Sequence, residues 1–404
     1  MKHFPFMAAA LLFCSNVMAQ RSLTVSITNP SNHGRTDAPV VLSLAKYGKV
    51  GSAIVSIDGK EIPSQLDDLN KDGRYDELAF TLDLARKETK KAHIVLFATG
   101  KPRTYKPRTF AEIVMRNTSV QEKNKHNIYL SAISVEKATP NQYTLLHHHG
   151  VAFESELVAL RIYFDNRQTI DLYGKYHKQL EIEQTQFYPS KEQKANGFGD
   201  DILWVGNTFG LGAMRGWNGT EPTMITDVEN RCQRVLAKGP VRTIVEMEDN
   251  QWTIDPNKQP VNMVIRYTLY AGHRDIAVSV RFSRPVGDFE FSTGIINVKN
   301  STEFSDKAGL RGCWGRDWPG GKPQEGFKEE TVGLGIYIPT RFIRSERPAD
   351  KDNYGYVIRT ATNRLNYAIA FNSDNEEFGM HSEKDWFDWL KTWKSDLQTP
   401  LLIK

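Results

Sequence analysis

The chain has 404 residues, of which 40% are hydrophobic, 25% charged and 11% aromatic. This length supports a sizeable core in one large domain or two ordinary ones, and the composition excludes a disordered or collagen-like chain. With 52 basic against 48 acidic side chains the formal net charge is +4, and no basic block with interleaved aromatics indicates a nucleic-acid-binding groove. Three cysteines are too few for a disulfide scaffold.

The first 19 residues have the pattern of a secretory signal peptide. Lys2 precedes an apolar run from Phe4 to Phe13, and Val17-Met18-Ala19 supplies a small-residue cleavage pattern. We predict cleavage after Ala19 and a periplasmic or secreted protein. No later segment is long and apolar enough to span a membrane.

Alternating and β-branched runs between turn residues dominate the rest of the chain. They predict an antiparallel all-β fold with few helices. The predicted strands are Leu23–Ile27, Val40–Leu44, Ala53–Ile57, Ala92–Phe97, Leu157–Phe164, Val241–Glu246, Met263–Tyr270, Ile276–Phe282 and Tyr354–Arg359.

One helix is predicted over Glu383–Ser395, with Ser382 as its N-cap, because Trp386, Leu390 and Trp393 share the spacing of one helical face. A basic, proline-containing stretch near residues 100–117 separates two regions. We predict a small N-terminal β-sandwich module over residues 20–110 and a large antiparallel β-supersandwich over residues 111–404. The alternative is a long crossover within a single domain.

Residues 67–77 form an acidic turn that resembles the first part of a calcium loop. Oxygen-bearing side chains occupy positions 1, 3, 5 and 9, with Gly73 at position 6, but no carboxylate stands at position 12. The predicted ligands of a structural calcium ion are Asp68, Asn70, Asp72 and Asp76. The alternative is a turn held by its own Asx hydrogen bonds, without an ion.

The pattern from Leu157 to Lys175 predicts a hairpin of two strands. One face of this hairpin carries an unusual concentration of Arg, Tyr, Asp and Lys side chains. Their apolar faces coincide if paired residue numbers sum to an even number, and a three-residue loop over residues 166–168 places Tyr163 opposite Asp171 and Arg161 opposite Tyr173. The shared polar face then carries Arg161, Tyr163, Asp165, Asp171, Tyr173 and Lys175.

Two tyrosines among Arg, Asp and Lys are typical of a saccharide-binding cleft. Tyr163 and Tyr173 are candidates for acid/base catalysis, and Arg161, Asp171 and Lys175 are candidates for substrate binding. The alternative is a polar network of structural ion pairs between sheets.

Upstream, His147-His148-His149-Gly150 and Glu154 stand at the entrance to the hairpin. Imidazole titrates near neutrality, so His148 and His149, together with Glu154, are candidate catalytic residues. The alternatives are a solvated histidine loop or a histidine packed in the core.

A glycine-rich segment, Gly309–Gly321, contains a second candidate cluster. Loops that carry exposed tryptophan beside charged residues are often functional, and indole rings suit the apolar faces of sugars. We therefore predict substrate binding by Trp314, Arg316, Asp317 and Trp318.

The sequence resembles the DUF4861 family of exported Bacteroidota proteins over nearly the whole mature chain. The resemblance rests on Gln65–Phe80, on His148-His149-Gly150, on Glu154, on Arg161–Asp165 and on Asp171–Lys175. Members of that family commonly accompany the degradation of uronic-acid polysaccharides. The segment Gly239–Arg242 and the strands after it are more loosely similar to the β-supersandwich of galactose-mutarotase-like proteins and some polysaccharide lyases.

The leading functional hypothesis is a carbohydrate-active enzyme that cleaves acidic oligo- or polysaccharides by β-elimination at a uronic acid. Arg161 or Lys175 would neutralise the substrate carboxylate, while a histidine or tyrosine would remove the C5 proton. One alternative is a glycoside hydrolase with paired carboxylates, drawn from Glu154, Glu156, Asp171 and Asp317. Another is a non-catalytic glycan-binding protein.

Overall fold

The computed structural model describes residues 20–117, 119, 128–323 and 327–404. The predicted signal peptide, residues 1–19, lies outside this part of the chain. The fold is all-β with antiparallel sheets and few helices, which confirms the predicted fold class.

Seven strands in residues 20–97 build the small module. They are β1 (Gln20–Thr28), β2 (Arg35–Ser43), β3 (Ser52–Ile57), β4 (Lys60–Ile62), β5 (Ser64–Asp67), β6 (Glu77–Leu84) and β7 (Thr89–Phe97).

The larger region contains twenty strands, and a short C-terminal strand follows. They are β8 (Thr109–Val114), β9 (Tyr129–Leu130), β10 (Ala132–Glu136), β11 (Gly150–Ser155), β12 (Ala159–Tyr163), β13 (Ile170–Gly174), β14 (Asp200–Asp201), β15 (Arg215–Trp217), β16 (Pro222–Thr223), β17 (Asn230–Ala237), β18 (Arg242–Trp252), β19 (Val261–Tyr270), β20 (Asp275–Phe282), β21 (Phe291–Ile296), β22 (Thr302–Ser305), β23 (Leu310–Asp317), β24 (Glu330–Tyr337), β25 (Ile343–Glu346), β26 (Asn353–Ile358), β27 (Arg364–Ser373) and β28 (Leu402–Ile403).

Two sheets enclose the core of the small module. One has the order β28-β1-β7-β3-β4 and the other β2-β6-β5. Alternate residues of these strands point between the sheets, and residues such as Val40, Val55 and Ile94 are completely buried there. The edge strand β28 comes from the C-terminal end, so residues 402–403 join the small module although the predicted large domain includes them.

The large region is a two-layer sandwich. A nine-stranded sheet, β10-β17-β18-β19-β20-β27-β24-β23-β22, forms one layer. A six-stranded sheet, β14-β13-β12-β11-β8-β9, and a five-stranded sheet, β16-β15-β21-β26-β25, supply the strands that share its core. Strand β19 shows the amphipathic pattern clearly, because Met263, Ile265 and Tyr267 are buried while Arg266 lies on the opposite face.

Three α-helices are present in the described residues: α1 (Ile182–Thr185), α2 (Lys191–Ala195) and α3 (Glu383–Gln398). The predicted C-terminal helix is confirmed, and the Ser382 hydroxyl caps it by accepting a hydrogen bond from Asp385 N. Helix α3 lies close on the nine-stranded sheet, since Trp386 atoms are 2.8 Å from where a Cβ on Gly333 would be. No helix in this part of the chain is long and apolar enough to cross a membrane.

Buried ion pairs join the small module to the larger sheets. The Arg242 guanidinium contacts Asp67 at 2.8 Å and Glu77 at 2.6 Å, and the Gln65 amide donates to the Arg242 carbonyl at 3.0 Å. Cys232 and Cys313 are both buried, and they do not form a disulfide with each other.

Candidate active site

The β12–β13 hairpin has the predicted faces but a different register. Arg161 stands opposite Asp171, and Tyr163 N donates to Thr169 O, so the loop spans five residues, 164–168. The predicted three-residue loop was therefore wrong by two residues. Asp165 explains the longer loop, because its side chain accepts from Arg167 N at 2.8 Å and pairs with the Arg167 guanidinium at 2.6 Å. A shift of two preserves the side-chain parity, so the polar face is unchanged.

Arg161 lies at the centre of this face and is only 4% exposed. Its guanidinium donates to Asp171 Oδ2 at 2.9 and 2.7 Å, to Asp201 Oδ2 at 3.1 Å and to the Tyr188 hydroxyl at 2.8 Å. It also stacks over the Phe187 ring, 4.1 Å from the centroid. Two carboxyl groups thus share one cation, and burial together with the nearby Asp171 charge raises the pKa of Asp201 well above its usual range.

The predicted acid/base tyrosines are both buried. The Tyr163 hydroxyl donates to Asp171 Oδ2 at 2.7 Å, and the Tyr173 hydroxyl donates to Glu181 Oε2 at 2.8 Å. Burial beside these carboxylates raises both tyrosine pKa values. Each hydroxyl therefore holds a carboxylate in place and is a poor proton acceptor in this structure.

Lys175 and Glu154 form a sealed ion pair, both at zero exposure. Lys175 Nζ donates to Glu154 Oε2 at 2.5 Å, to Ser155 O at 2.7 Å and to Gln179 O at 2.6 Å, which accounts for all three of its protons. Glu154 also accepts from the backbone amide of Glu181 at the start of α1. We predicted that Lys175 contacts substrate and that Glu154 acts in catalysis. In the structure both side chains are enclosed by protein partners and are bonded to them.

The predicted catalytic histidines differ from each other. His148 is completely buried, with Nε2 3.0 Å from Glu112 Oε1 and Nδ1 3.1 Å from Gly150 O. Burial, with the Glu154 charge, raises the pKa of Glu112 to about 8. His149 is half-buried and stacks on Tyr143 with ring centroids 3.8 Å apart. Burial lowers the pKa of His149 to about 4, so this imidazole is neutral at pH 7.

Residues 314–317 of the glycine-rich segment form the end of strand β23, and Trp318 follows directly. Trp314 packs with the apolar cluster under helix α3. Arg316 is exposed and pairs with Glu329 at 3.1 Å, while Trp318 is half-buried and its amide donates to Asp317 Oδ1 at 2.8 Å. Of the two predicted stacking tryptophans, Trp314 therefore belongs largely to the packing of α3.

Strand pairing brings this segment towards the hairpin. Asp317 stands opposite Glu330 across the β23–β24 ladder, so both side chains leave the same face of the sheet. Asp201 pairs with Tyr173 at the edge of the six-stranded sheet. A cleft of about 300 Å³ opens between the start of β24 and the edge strand β14, and it is lined by Tyr176, Lys194, Phe198, Asp200, Asp201, Phe327, Lys328 and Glu330.

The cleft holds protonatable carboxyl groups beside cations. Glu330 is 8% exposed, and burial raises its pKa, as it does for Asp201. Lys194 forms an ion pair with Asp200. Lys328 donates to Asn375 Oδ1 at 3.1 Å and lies 5.8 Å from the Tyr176 ring centroid. Burial that raises the pKa of a carboxyl group is a common way in which hydrolytic sites prepare a general acid.

Glu330 lies more than a hundred residues after Asp200 and Asp201 in the sequence and shares no motif with them. The doublet Asp200-Asp201 after Gly197-Phe198-Gly199 is a local signal for a turn rich in acid groups. Only the tertiary structure, which brings β14 and the start of β24 from different sheets to one cleft, places the doublet beside Glu330. Trp204, which follows the doublet, is 55% exposed and lies against Gly321 beyond the end of β23.

Many polar groups of the acidic turn form hydrogen bonds with one another. Asp68 accepts from Asp72 N and Gly73 N, Asn70 accepts from Asp72 N, and Asp76 accepts from Leu69 N at 2.7 Å. Within the described ranges no group of three or more His, Cys, Asp or Glu side chains is arranged to hold a metal ion. The four predicted ligands thus form an Asx-bonded turn as described, and calcium binding there stays a prediction.

Two solved structures resemble this fold. One is a protein in the glycosyl hydrolase family 38 from Enterococcus faecalis, with a TM-score of 0.51, 10% identity, and coverage of 95% of this chain and 47% of that chain. The other is an alpha-mannosidase from Enterococcus faecalis V583, with a TM-score of 0.50, 10% identity, and coverage of 95% and 46%. The chain spans about half the length of these proteins, and likeness at this identity establishes the fold alone.

No curated protein matches the chain significantly. A family model described as a domain of unknown function, DUF4861, matches residues 27–403. The resemblance in the acidic turn, the histidine segment and the hairpin is thereby confirmed over nearly the whole described chain, and the chain belongs to the DUF4861 family.

Proposed function

We propose that the protein is a carbohydrate-active enzyme that hydrolyses glycosidic bonds in acidic oligosaccharides, with its reaction centre in the cleft between β14 and β24. One observation carries this proposal. Two carboxyl groups with raised pKa values, Asp201 and Glu330, line the same small cleft beside aromatic rings and a third acid, Asp200. Glycoside hydrolysis uses a protonated carboxyl group as the acid and a carboxylate as its partner.

The three acids can divide these roles. Glu330, whose pKa is raised by burial, would protonate the leaving oxygen. Asp200, held by the Lys194 ammonium, would supply the negative charge that stabilises the sugar cation or activates water. Asp201 would be held by its hydrogen bond from Arg161. Because Arg161 lies on the β12–β13 hairpin, the hairpin would position this edge of the cleft.

The lining also favours a sugar that carries a carboxylate. Tyr176, Phe198 and Phe327 offer ring faces on which a pyranose can stack. Lys328 lines the cleft, and the charges of Lys328 and Arg316 both act on Glu330, so the positive charge near this acid suits a uronic acid. The fold likeness to glycosidase structures is consistent with a saccharide substrate, and the sequence resemblance implies one that contains uronic acid. Export to the periplasm, after removal of residues 1–19, would place the enzyme with such substrates.

A second candidate reaction is β-elimination, and His149 is the observation that favours it. Its imidazole is neutral at pH 7 and half-exposed, and both Arg161 and Arg167 act on its charge. A neutral base beside guanidinium groups is the combination that removes a proton next to a neutralised carboxylate.

The two reactions can be separated with one set of uronic-acid oligosaccharides. Hydrolysis releases reducing ends without ultraviolet absorbance, whereas elimination releases an unsaturated product that absorbs. We expect new reducing ends only, with at least about a hundredfold loss of rate in Glu330→Gln and in Asp200→Asn. Glu221→Gln, an exposed acid outside the cleft, is the matched control and should keep full rate.

Three outcomes would redirect the assignment. Absorbing product that disappears in His149→Ala would replace hydrolysis with elimination. Full activity in both Glu330→Gln and Asp200→Asn would move the reaction away from this cleft. Binding of the oligosaccharide without any product would leave a glycan-binding protein.

A further inference from the structure

A larger polar cavity lies on the other side of the nine-stranded sheet, away from the cleft. It has a volume of about 530 Å³ and opens between the acidic turn of the small module and the outer face of β17–β20. Its lining residues are Leu69, Asn70, Lys71, Asp76, Arg234, Leu236, Glu246, Arg266 and Arg281.

The sheet register builds one wall of this cavity from a row of charges. Arg234 stands opposite Glu246 on the neighbouring strand, and Glu246 stands opposite Arg266 on the next. Arg266 Nε donates to Glu246 Oε1 at 2.9 Å, and Arg234 pairs with Glu248. Two carboxylates thus balance two guanidinium groups, and the row is electrically neutral.

The other two cations of the cavity are not balanced in this way. Lys71 Nζ donates to a backbone carbonyl, Leu236 O, at 2.6 Å. Arg281 is exposed and forms no ion pair with any residue that the structure describes. The remaining carboxylate, Asp76, accepts hydrogen bonds from the Leu69 amide and the Asn70 side chain. The cavity therefore carries about one excess positive charge, with both Lys71 and Arg281 able to meet an anion.

The lining also limits the kind of anion. Only Leu69 and Leu236 provide apolar surface, and they pack against each other at the junction of turn and sheet. The remaining lining side chains are polar, and the volume is within the range of small-ligand sites. A molecule with several hydroxyl groups and one negative charge can form hydrogen bonds with these side chains, whereas an apolar molecule would leave them without partners.

We propose that this cavity is a binding site for a carboxylate-bearing sugar, with Arg281 holding the carboxylate and Lys71, on the other side of the row of charges, donating to a hydroxyl group. A guanidinium binds a carboxylate through two parallel hydrogen bonds. The site is separate from the cleft that contains Glu330, so its occupancy does not depend on the reaction proposed there.

Methyl NMR titration with glucuronate tests the proposal, with glucose and inorganic sulfate as comparison probes. The methyl signals of Leu69 and Leu236 report on this cavity, whereas no leucine lines the cleft. We expect both signals to shift with glucuronate and not with glucose. The double variant Lys71→Gln/Arg281→Gln should weaken binding at least about tenfold.

Arg364→Gln is the matched control, since Arg364 stands opposite Arg281 on the same sheet but does not line the cavity. It should leave the titration unchanged. Unchanged glucuronate affinity in the double variant, or equal shifts with glucose, would overturn the proposal. Shifts with sulfate alone would also overturn it, in favour of a sulfate site. Because the readout is binding at two leucines, these results are independent of activity in the cleft.

Discussion

Two buried cations on the β12–β13 hairpin look alike in the sequence and differ in the structure. Lys175 gives all of its protons to Glu154 and to two backbone carbonyls, with no exposure to solvent. Arg161 divides its donors between Asp171, Asp201 and Tyr188, and Asp201 also lines a cleft. A buried ion pair thus becomes available for chemistry only where one of its partners is shared with a cavity.

Removal of the Lys175 charge should give the largest effect on stability. Lys175→Met leaves Glu154 as a buried carboxylate without its cation, which costs about 3–5 kcal/mol in comparable pairs. Urea unfolding of Lys175→Met measures this, with the exposed Lys91→Met as its control.

A second variant shows whether the ion pair itself is responsible. In Lys175→Met/Glu154→Gln the amide oxygen can still accept from the start of α1, but no charge is buried. Most of the lost stability should return. A loss below about 1 kcal/mol in Lys175→Met would instead show that Lys175 is not sealed, and the contrast with Arg161 would fail.

A smaller effect is expected on the Arg161 side, where His149 titrates. The pKa of His149 is lowered from 6.5 to about 4 by burial, so between these values the unfolded chain binds a proton that the folded protein does not. Stability is therefore retained above pH 6.5 and lost as the pH falls towards 4.

His149→Asn removes this titration while tolerating the positive φ of 68° at the position. Thermal unfolding across pH 4–7 should show a flatter profile for the variant, on top of a constant loss from the missing Tyr143 stack. Equal slopes for the two proteins would place His149 in solvent in both states.

The smallest effect concerns the acidic turn, whose carboxylates are exposed or half-buried. Calcium in millimolar excess should raise the melting temperature by a few degrees at most, because the ion must displace hydrogen bonds such as Gly73 N to Asp68. Asp72→Asn should reduce the shift, whereas magnesium should not reproduce it. A melting temperature unaffected by calcium and by chelator would remove the predicted calcium site.

Local pattern was enough to predict nine of the strands, the C-terminal helix and which side chains share a face of the hairpin. It was not enough for the register, because the loop length depends on the Asp165–Arg167 contact. The surroundings of each buried side chain could not be predicted either. Alternation gives the same pattern for Lys175 and Arg161, although only the network around Arg161 reaches a cavity. Asp201 and Glu330 depend on strands from different sheets, and such contacts leave no mark in either segment alone.

The pairing of β28 with β1 has a consequence for how the chain folds. Ser31 and Asp396, which are also hydrogen-bonded, stand 365 residues apart. The small module emerges first during synthesis but waits for residues 396–403 before its edge strand and its contacts with α3 can form. Until then β1 exposes an unpaired edge, which makes the nascent chain a candidate for transient protection by a chaperone.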